Sequence, residues 1–240
     1  MKEQLQDAVI QADKILIGIG NEFQEKYTGL QDETFKRIEK ENPLLAAYQK
    51  ISFLQDHEDE HIIQAYNNLY ELVKEKDFFI LSTCTDDRIY HTNLPADKIV
   101  TPCGGFRFLQ CSENCSDELL PVTSKMIKEK ELVLCPHCGK TVCFNQINAP
   151  VYNENGYMEQ WSVYRKWLQG TINRKLCIVE LGVLMDFPSV IRWPFEKIAT
   201  YNQKSSFFRI NETLYQLPKE ISNNGNAKKE NAVTFLEKQF

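Results

Sequence analysis

Two close cysteine pairs constrain this chain more than any other feature of its sequence. Cys111-Ser-Glu-Asn-Cys115 is followed, after 19 intervening residues, by Cys135-Pro-His-Cys138-Gly139. Four thiolates arranged in two pairs suit a tetrahedral zinc ion at ~2.3 Å per Zn–S bond. Cys-Pro-x-Cys-Gly reads as a zinc-knuckle turn, whose glycine tolerates the left-handed backbone that aims amides at the sulfurs. The spacing leaves no open coordination position, so the metal reads as structural. His137 lies between two ligands and is expected to point outward, and Cys143 is a weaker substitute ligand. The competing reading is a set of buried free thiols.

The remaining cysteines are Cys84, Cys103 and Cys177. A disulfide-stapled secreted scaffold would be shorter and would begin with a signal peptide. Residues 1–13 have neither a basic end nor a long apolar core, so the cytoplasm is the expected compartment. The 28 Lys and Arg against 33 Asp and Glu give a net charge of −5, which argues against a broadly basic nucleic-acid surface. No apolar run reaches the ~18–20 residues that span a bilayer. Neither nucleic acid nor membrane is therefore an expected partner.

Apolar runs alternate with helical stretches along the chain. Buried strands are predicted at Lys14-Ile-Leu-Ile-Gly-Ile-Gly20, Phe78-Phe-Ile-Leu-Ser82, Lys98-Ile-Val-Thr101, Leu176-Cys-Ile-Val-Glu-Leu-Gly182 and Phe207-Phe-Arg-Ile-Asn211. Helices are predicted over the first dozen residues, over much of 31–76 with a break at Asn42-Pro43, over 157–169 and over 228–238. This alternation implies an α/β fold with a mostly parallel sheet covered on both faces. Ligands of such sheets bind outside the carboxyl ends of the strands. Those ends hold Gly18-Ile-Gly20, Thr83-Cys-Thr-Asp86, Gly182-Val183 and Arg209-Ile-Asn211, so small and polar residues collect along one rim.

In order, these stations resemble the sirtuins, NAD-dependent protein deacylases and ADP-ribosyltransferases. The family's order is a glycine-rich first turn, a Thr-x-Asn-x-Asp strand end, a His-Gly step, two cysteine pairs, a Gly-Thr-Ser-like strand end and an Asn-tipped late strand. Here the order reads Ile17-Gly-Ile-Gly20, Ser82-Thr-Cys-Thr-Asp86, Cys103-Gly104, cysteines 111/115 and 135/138, Leu181-Gly-Val183 and Ile210-Asn211. The strings Gly105-Phe-Arg-Phe-Leu-Gln-Cys-Ser112, Pro188-Ser-Val-Ile-Arg-Trp-Pro-Phe195 and Arg209-Ile-Asn211 are similar to the class M branch, the microbial group linked to macrodomains. The resemblance implies a doubly wound Rossmann-like NAD-binding domain, residues 1–104 and 146–240, with a zinc-ribbon insert at 105–145. It implies NAD as cofactor, structural zinc and an acceptor protein as partner, a lipoyl-type carrier being one candidate.

The resemblance also assigns roles. Asp86 would orient the ribose of the cofactor or stabilise developing positive charge; capping the following turn is its competing structural role. Gly18 and Gly20 would admit the diphosphate backbone-on, or else serve close packing. Gly182 and Val183 would line the pyrophosphate or adenine side. Asn211 would contact the adenosine ribose, or end its strand as a turn residue. Three positions depart from the family. Cys103 replaces the general-base histidine, Cys84 replaces the Asn, and Asn21-Glu22-Phe23 replaces the small residues after Gly20. A glutamate beside a diphosphate repels it unless it points away. Arg37 is a loose candidate for the cofactor-loop arginine. Cys84 and Cys103 are candidate reactive thiols, expected to face one crevice closely enough for redox coupling. The missing histidine favours mono-ADP-ribosylation over lysine deacylation. The alternatives are a catalytically degenerate module that binds NAD, ADP-ribose or a protein partner, and an unrelated zinc-ribbon protein with an α/β body.

Overall fold

The apolar runs near 14–19, 78–82, 176–181 and 206–211 all become strands of one sheet. The computed structural model describes residues 1–238. In chain order the elements are α1 (Lys2–Gln11), β1 (Lys14–Ile19), α2 (Glu33–Glu41), α3 (Pro43–Asp56), α4 (Glu60–Val73), β2 (Phe78–Ser82), β3 (Ile99–Val100), β4 (Gly104–Cys111), β5 (Leu120–Pro121), α5 (Ser124–Glu129), β6 (Val142–Gln146), α6 (Asn155–Gln169), β7 (Leu176–Leu181), α7 (Arg192–Tyr201), β8 (Ser206–Asn211), β9 (Gly225–Lys229) and α8 (Ala232–Glu237). The large sheet has the order β3-β2-β1-β7-β8-β9, with every neighbouring pair parallel. The small sheet, β5-β4-β6, is antiparallel.

Side chains alternate across each strand of the large sheet, and both faces are covered. Ile15, Ile17 and Ile19 face Leu5 and Val9 of α1, Leu69 of α4 and Leu236 of α8. Leu16 belongs to the opposite layer with Tyr164 of α6 and Phe195 of α7. A third core joins the small sheet to α3, where Leu44, Tyr48 and Ile51 pack with Leu109, Val142 and Phe144. The Asn42-Pro43 break begins α3: Asn42 Oδ1 accepts the N–H of Leu45, and Pro43 takes the first helical position.

Two elements depart from the sequence pattern. The segment 228–238, expected as one helix, divides into the end of β9 and the helix α8. β9 reads Gly-Asn-Ala-Lys-Lys, a polar sheet edge with no apolar alternation to reveal it, and its lysines discourage further pairing. α7 has Pro194 in its first turn, where an N–H would have no intrahelical partner and so no hydrogen bond is lost, although proline in sequence reads as a breaker.

Glu180, fully buried in β7, accepts from Arg209 at 2.7 and 3.0 Å, and Arg192 lies 3.4 Å away. Arg209 also reaches Glu196 at 2.7 Å. Glu180→Ala leaves two buried guanidinium groups to share the single carboxylate of Glu196 and is expected to cost about 3–5 kcal/mol. The urea unfolding midpoint measures this, and a loss below about 1 kcal/mol would contradict it.

Candidate active site at the strand tips

The strand order reverses between β1 and β7, and the crevice of such a sheet opens at that switch point. Four predicted residues meet there. The N–H of Gly20 donates to Leu181, and the N–H of Gly182 donates to Ile210, which draws the tips of β1, β7 and β8 together. A Cβ on Gly20 would come within 2.5 Å of the Val183 backbone, so only glycine permits this approach. Gly182 has a left-handed φ of 62°, where glycine is unstrained. Asn211 Nδ2 donates to the Val183 carbonyl at 2.9 Å, while its Oδ1 accepts the N–H groups of Thr213 and Leu214. Asn211 therefore braces the Gly182-Val183 turn and has its amide engaged internally. Gly18 lies inside β1, where a Cβ would meet Ile191 and Phe195, so its glycine serves the packing of α7.

Glu22 is seated against these same strand tips. The chain after Gly20 makes a single tight turn over Asn21–Phe23 in place of a long helix. That turn delivers the Glu22 carboxylate against Gly182, to accept the N–H of Glu212 at 2.8 Å and of Ala232 at 2.5 Å. Burial raises its pKa, opposed by these two amides.

Asp86 closes the β2 tip. Its Oδ2 accepts the N–H of Glu25 at 2.7 Å and the side-chain amide of Gln24 at 3.3 Å, and Oδ1 accepts the N–H of Arg88 at 3.1 Å. Burial pushes its pKa from 3.8 up to about 6, against the pull of the Glu25 and Arg88 amides. The cap position of the following turn (Arg88–His91) belongs to Asp87, whose side chain makes no cap bond; Asp86 holds the Arg88 N–H from one residue earlier and ties down the loop after β1. Arg88 completes the link with an ion pair to Glu25 at 2.9 Å, both side chains 9% exposed.

Asp87 was not among the predicted residues. It is buried with a left-handed φ of 59° and accepts the N–H of Phe106 in β4. A Cβ on Gly105 would fall 2.2 Å from Asp87 Oδ1, so Gly105 makes room for the carboxylate. Arg107 stacks on Tyr90 at 3.7 Å and lies 3.7 Å from the same oxygen. Through Asp87, and through Gln146 Nε2 donating to the Thr85 carbonyl, the small sheet is fastened to the β2 tip. The run Asp86-Asp87-Arg88 was the available sequence signal. Two cavities flank this junction. One of about 890 Å³ includes Gln24, Tyr27, Thr85 and Gln146, and one of about 380 Å³ includes Tyr66, Asp86, Arg88 and His91.

Cys84 and Cys103 are buried free thiols. Cys84 Sγ lies 3.3 Å from the Gly20 carbonyl. Burial and the Asp86 charge hold the Cys84 thiol well above its ordinary pKa, and burial pushes Cys103 up to about 12. Arg107 is turned to Asp87 and Tyr90. Both thiols are protonated at neutral pH, which opposes a nucleophile at either position. Arg37 is exposed on α2.

The four paired cysteines converge. The sulfurs of Cys111, Cys115, Cys135 and Cys138 all lie within 4.8 Å of one another. Cys111–Cys138 and Cys115–Cys135 are each 3.5 Å apart, close to the sulfur separation that tetrahedral zinc requires. Backbone amides lower the Cys111 and Cys135 thiols, whereas Cys115 and Cys138, hydrogen-bonded to those two, are raised, so the four sulfurs titrate as one linked cluster. Gly139 has φ 69° and donates its N–H to the Cys135 carbonyl, forming the expected knuckle. His137 turns to Glu118, and Cys143 stands outside the group. The donor set fits zinc.

Known proteins share this architecture. A Sir2Tm structure bound to a propionylated peptide superposes with a TM-score of 0.59 at 15% identity, covering 98% of this chain and 96% of that one. A Sir2–p53 peptide–NAD+ structure gives 0.56 at 13% identity, covering 98% and 95%. The chain has the sirtuin fold. No protein-family model matches the chain. Among curated proteins, a "Protein ADP-ribosyltransferase" of Staphylococcus aureus is 21% identical over 178 residues, 68% of this chain and 56% of that protein. A "Probable bifunctional ADP-ribose hydrolase/ADP-ribosyltransferase" of Fusarium oxysporum f. sp. cubense is 27% identical over 140 residues, 51% of this chain and 24% of that protein. The match thus spans about a quarter and just over half the length of these relatives. Among the described residues of this sirtuin-fold chain, no helix is long and apolar enough to cross a membrane.

Proposed function

We propose that the chain is a sirtuin-type NAD-dependent protein-modifying enzyme, with mono-ADP-ribosylation of an acceptor protein favoured over lysine deacylation. The observation behind this reading is Asp86: a carboxylate buried at the β2 tip, poised near neutral pKa, where the loop after β1 meets the small sheet. Both curated relatives are named for ADP-ribosyl transfer, and the general-base histidine position of the resemblance holds a protonated Cys103.

The crevice suits an anion, because it already holds one. Glu22 serves as an internal stand-in on two main-chain N–H donors, so a diphosphate is accommodated once that side chain moves aside. NAD, when bound, supplies an ADP-ribosyl group whose ribose carbon becomes electrophilic as nicotinamide departs. Gly20, Gly182 and Val183 would admit it backbone-on, and Asn211 would keep the Gly182-Val183 turn in place. Asp86 in its ionised form would stabilise positive charge at the ribose. The lipoyl-type carrier is a candidate acceptor on the class M resemblance alone.

Release of nicotinamide from NAD by the purified protein, abolished in Asp86→Ala, is the expected result. Wild-type protein that is thermally stabilised by ADP-ribose yet releases no nicotinamide would replace this reading with the degenerate binding module. The seated Glu22 is the observation that favours that second reading.

A further inference from the structure

Glu22 is outside the set of residues to which the resemblance assigns a role in binding, yet its carboxylate is the group seated against the strand tips at the switch point. Three separate segments converge on it. Gly182, at the β7 tip, would place a Cβ 2.5 Å from the Glu22 Cβ. The N–H of Glu212, just past β8, and the N–H of Ala232, just past β9, both donate to its two oxygens. A side chain so held is not a surface glutamate that happens to lie nearby. It satisfies two main-chain donors that would otherwise face the crevice unpaired.

We propose that Glu22 is an intramolecular anion that the crevice exchanges for the diphosphate of an incoming ligand, and that it thereby sets the affinity of the site. The proposal rests on the ADP-ribosyl reading for the class of ligand. The exchange is balanced electrostatically. The two amides pass from one anion to another, and the freed carboxylate returns to water, where its hydration offsets part of the lost hydrogen bonding. Without exchange, the ligand phosphate and the carboxylate would share one low-dielectric space and repel. A ligand lacking an anionic group has nothing to offer the two amides and cannot replace Glu22 on equal terms. The crevice is therefore closed to neutral ligands and opened by anionic ones. Burial raises the pKa of the seated carboxylate, against the pull of the two amides. The charged neighbours bearing on Glu22 are Glu212, which repels it, and Lys26, which attracts it.

Glu22→Gln tests this directly. The amide keeps one acceptor oxygen but turns an N–H toward the second main-chain donor, so the seat is weakened without leaving a void. ADP-ribose binding to wild type and variant, measured by calorimetry, is expected to tighten by about tenfold or more in the variant, about 1.4 kcal/mol. The gain should persist at about 0.5 M salt, because a local exchange is screened far less than a long-range field. Glu22→Ala, which empties the seat, should show the same direction, and thermal unfolding of each variant verifies that it is folded. Wild-type binding with no gain in either folded variant would overturn the exchange and leave the ADP-ribosyl reading standing. Weaker binding in the variants would make Glu22 a ligand contact, which also overturns it. Absence of ADP-ribose binding in wild type and variants alike would overturn both.

Discussion

Cys135→Ser is expected to strip the metal from the chain and unfold the small sheet while the large sheet survives. The small sheet has three strands, one of them two residues long, and its core is shared with α3. Such a unit is too small to hold itself without a staple. Structural zinc contributes about 10–16 kcal/mol of apparent binding energy in comparable small sites, and that energy is folding energy. A serine hydroxyl is a poor zinc ligand, and Cys143 lies outside the cluster and cannot take its place. The large sheet has two cores of its own, one on each face, and neither includes the metal ligands. Metal analysis should fall from one zinc per chain to near none. Hydrogen exchange should lose protection over 104–146 and keep it over 14–19 and 176–181. Full zinc retention, or unchanged protection of the small sheet, would contradict the assignment. Because Asp87 and Gln146 fasten that sheet to the β2 tip, any NAD-dependent activity should fall with it.

Asp86→Asn is expected to abolish activity and to reshape the pH dependence of stability. Burial raises the Asp86 pKa from 3.8 to about 6. Between those values the folded chain binds a proton that the unfolded chain has lost, so stability falls as pH rises through that window. The fall from this group totals about 3 kcal/mol, being about two pKa units at 1.36 kcal/mol each. It is complete above about pH 6 and absent below about pH 4. Asparagine does not titrate, so the variant's stability relative to wild type should rise by about that amount between pH 4 and pH 6 and stay level above. Whatever the amide loses in hydrogen bonding to Glu25 and Arg88 is a constant offset and leaves the slope intact. Activity that needs the ionised carboxylate should rise with pH through about 6 in wild type. Urea denaturation at several pH values measures the first effect and nicotinamide release the second. A pH-independent difference in stability would refute the perturbed carboxylate, and activity retained in the variant would refute its role.

Much of this architecture was legible in the chain. The runs around Ile15–Ile19, Phe78–Leu81, Leu176–Leu181 and Phe207–Ile210 are apolar on both faces apart from the paired Glu180 and Arg209, the pattern of a doubly covered parallel sheet. The cysteine spacing announced the four-sulfur cluster because ligand geometry is nearly local within each pair. The rim of Gly20, Gly182 and Asn211 followed from the ends of those runs. β9 escaped because a polar edge strand has no periodicity, and α7 because proline in a first turn looks like a break.

Sequence by itself determined the sheet, the cluster and the rim, since periodicity and short spacing are properties of neighbours along the chain. The tertiary structure alone decided what fills the rim and what braces it. Glu22 meets partners 190 and 210 residues away, and Asp87 meets Phe106 across the boundary between two sheets. No local pattern encodes such meetings. A carboxylate is drawn to unpaired amides wherever folding happens to leave them, and only the folded chain shows where that is.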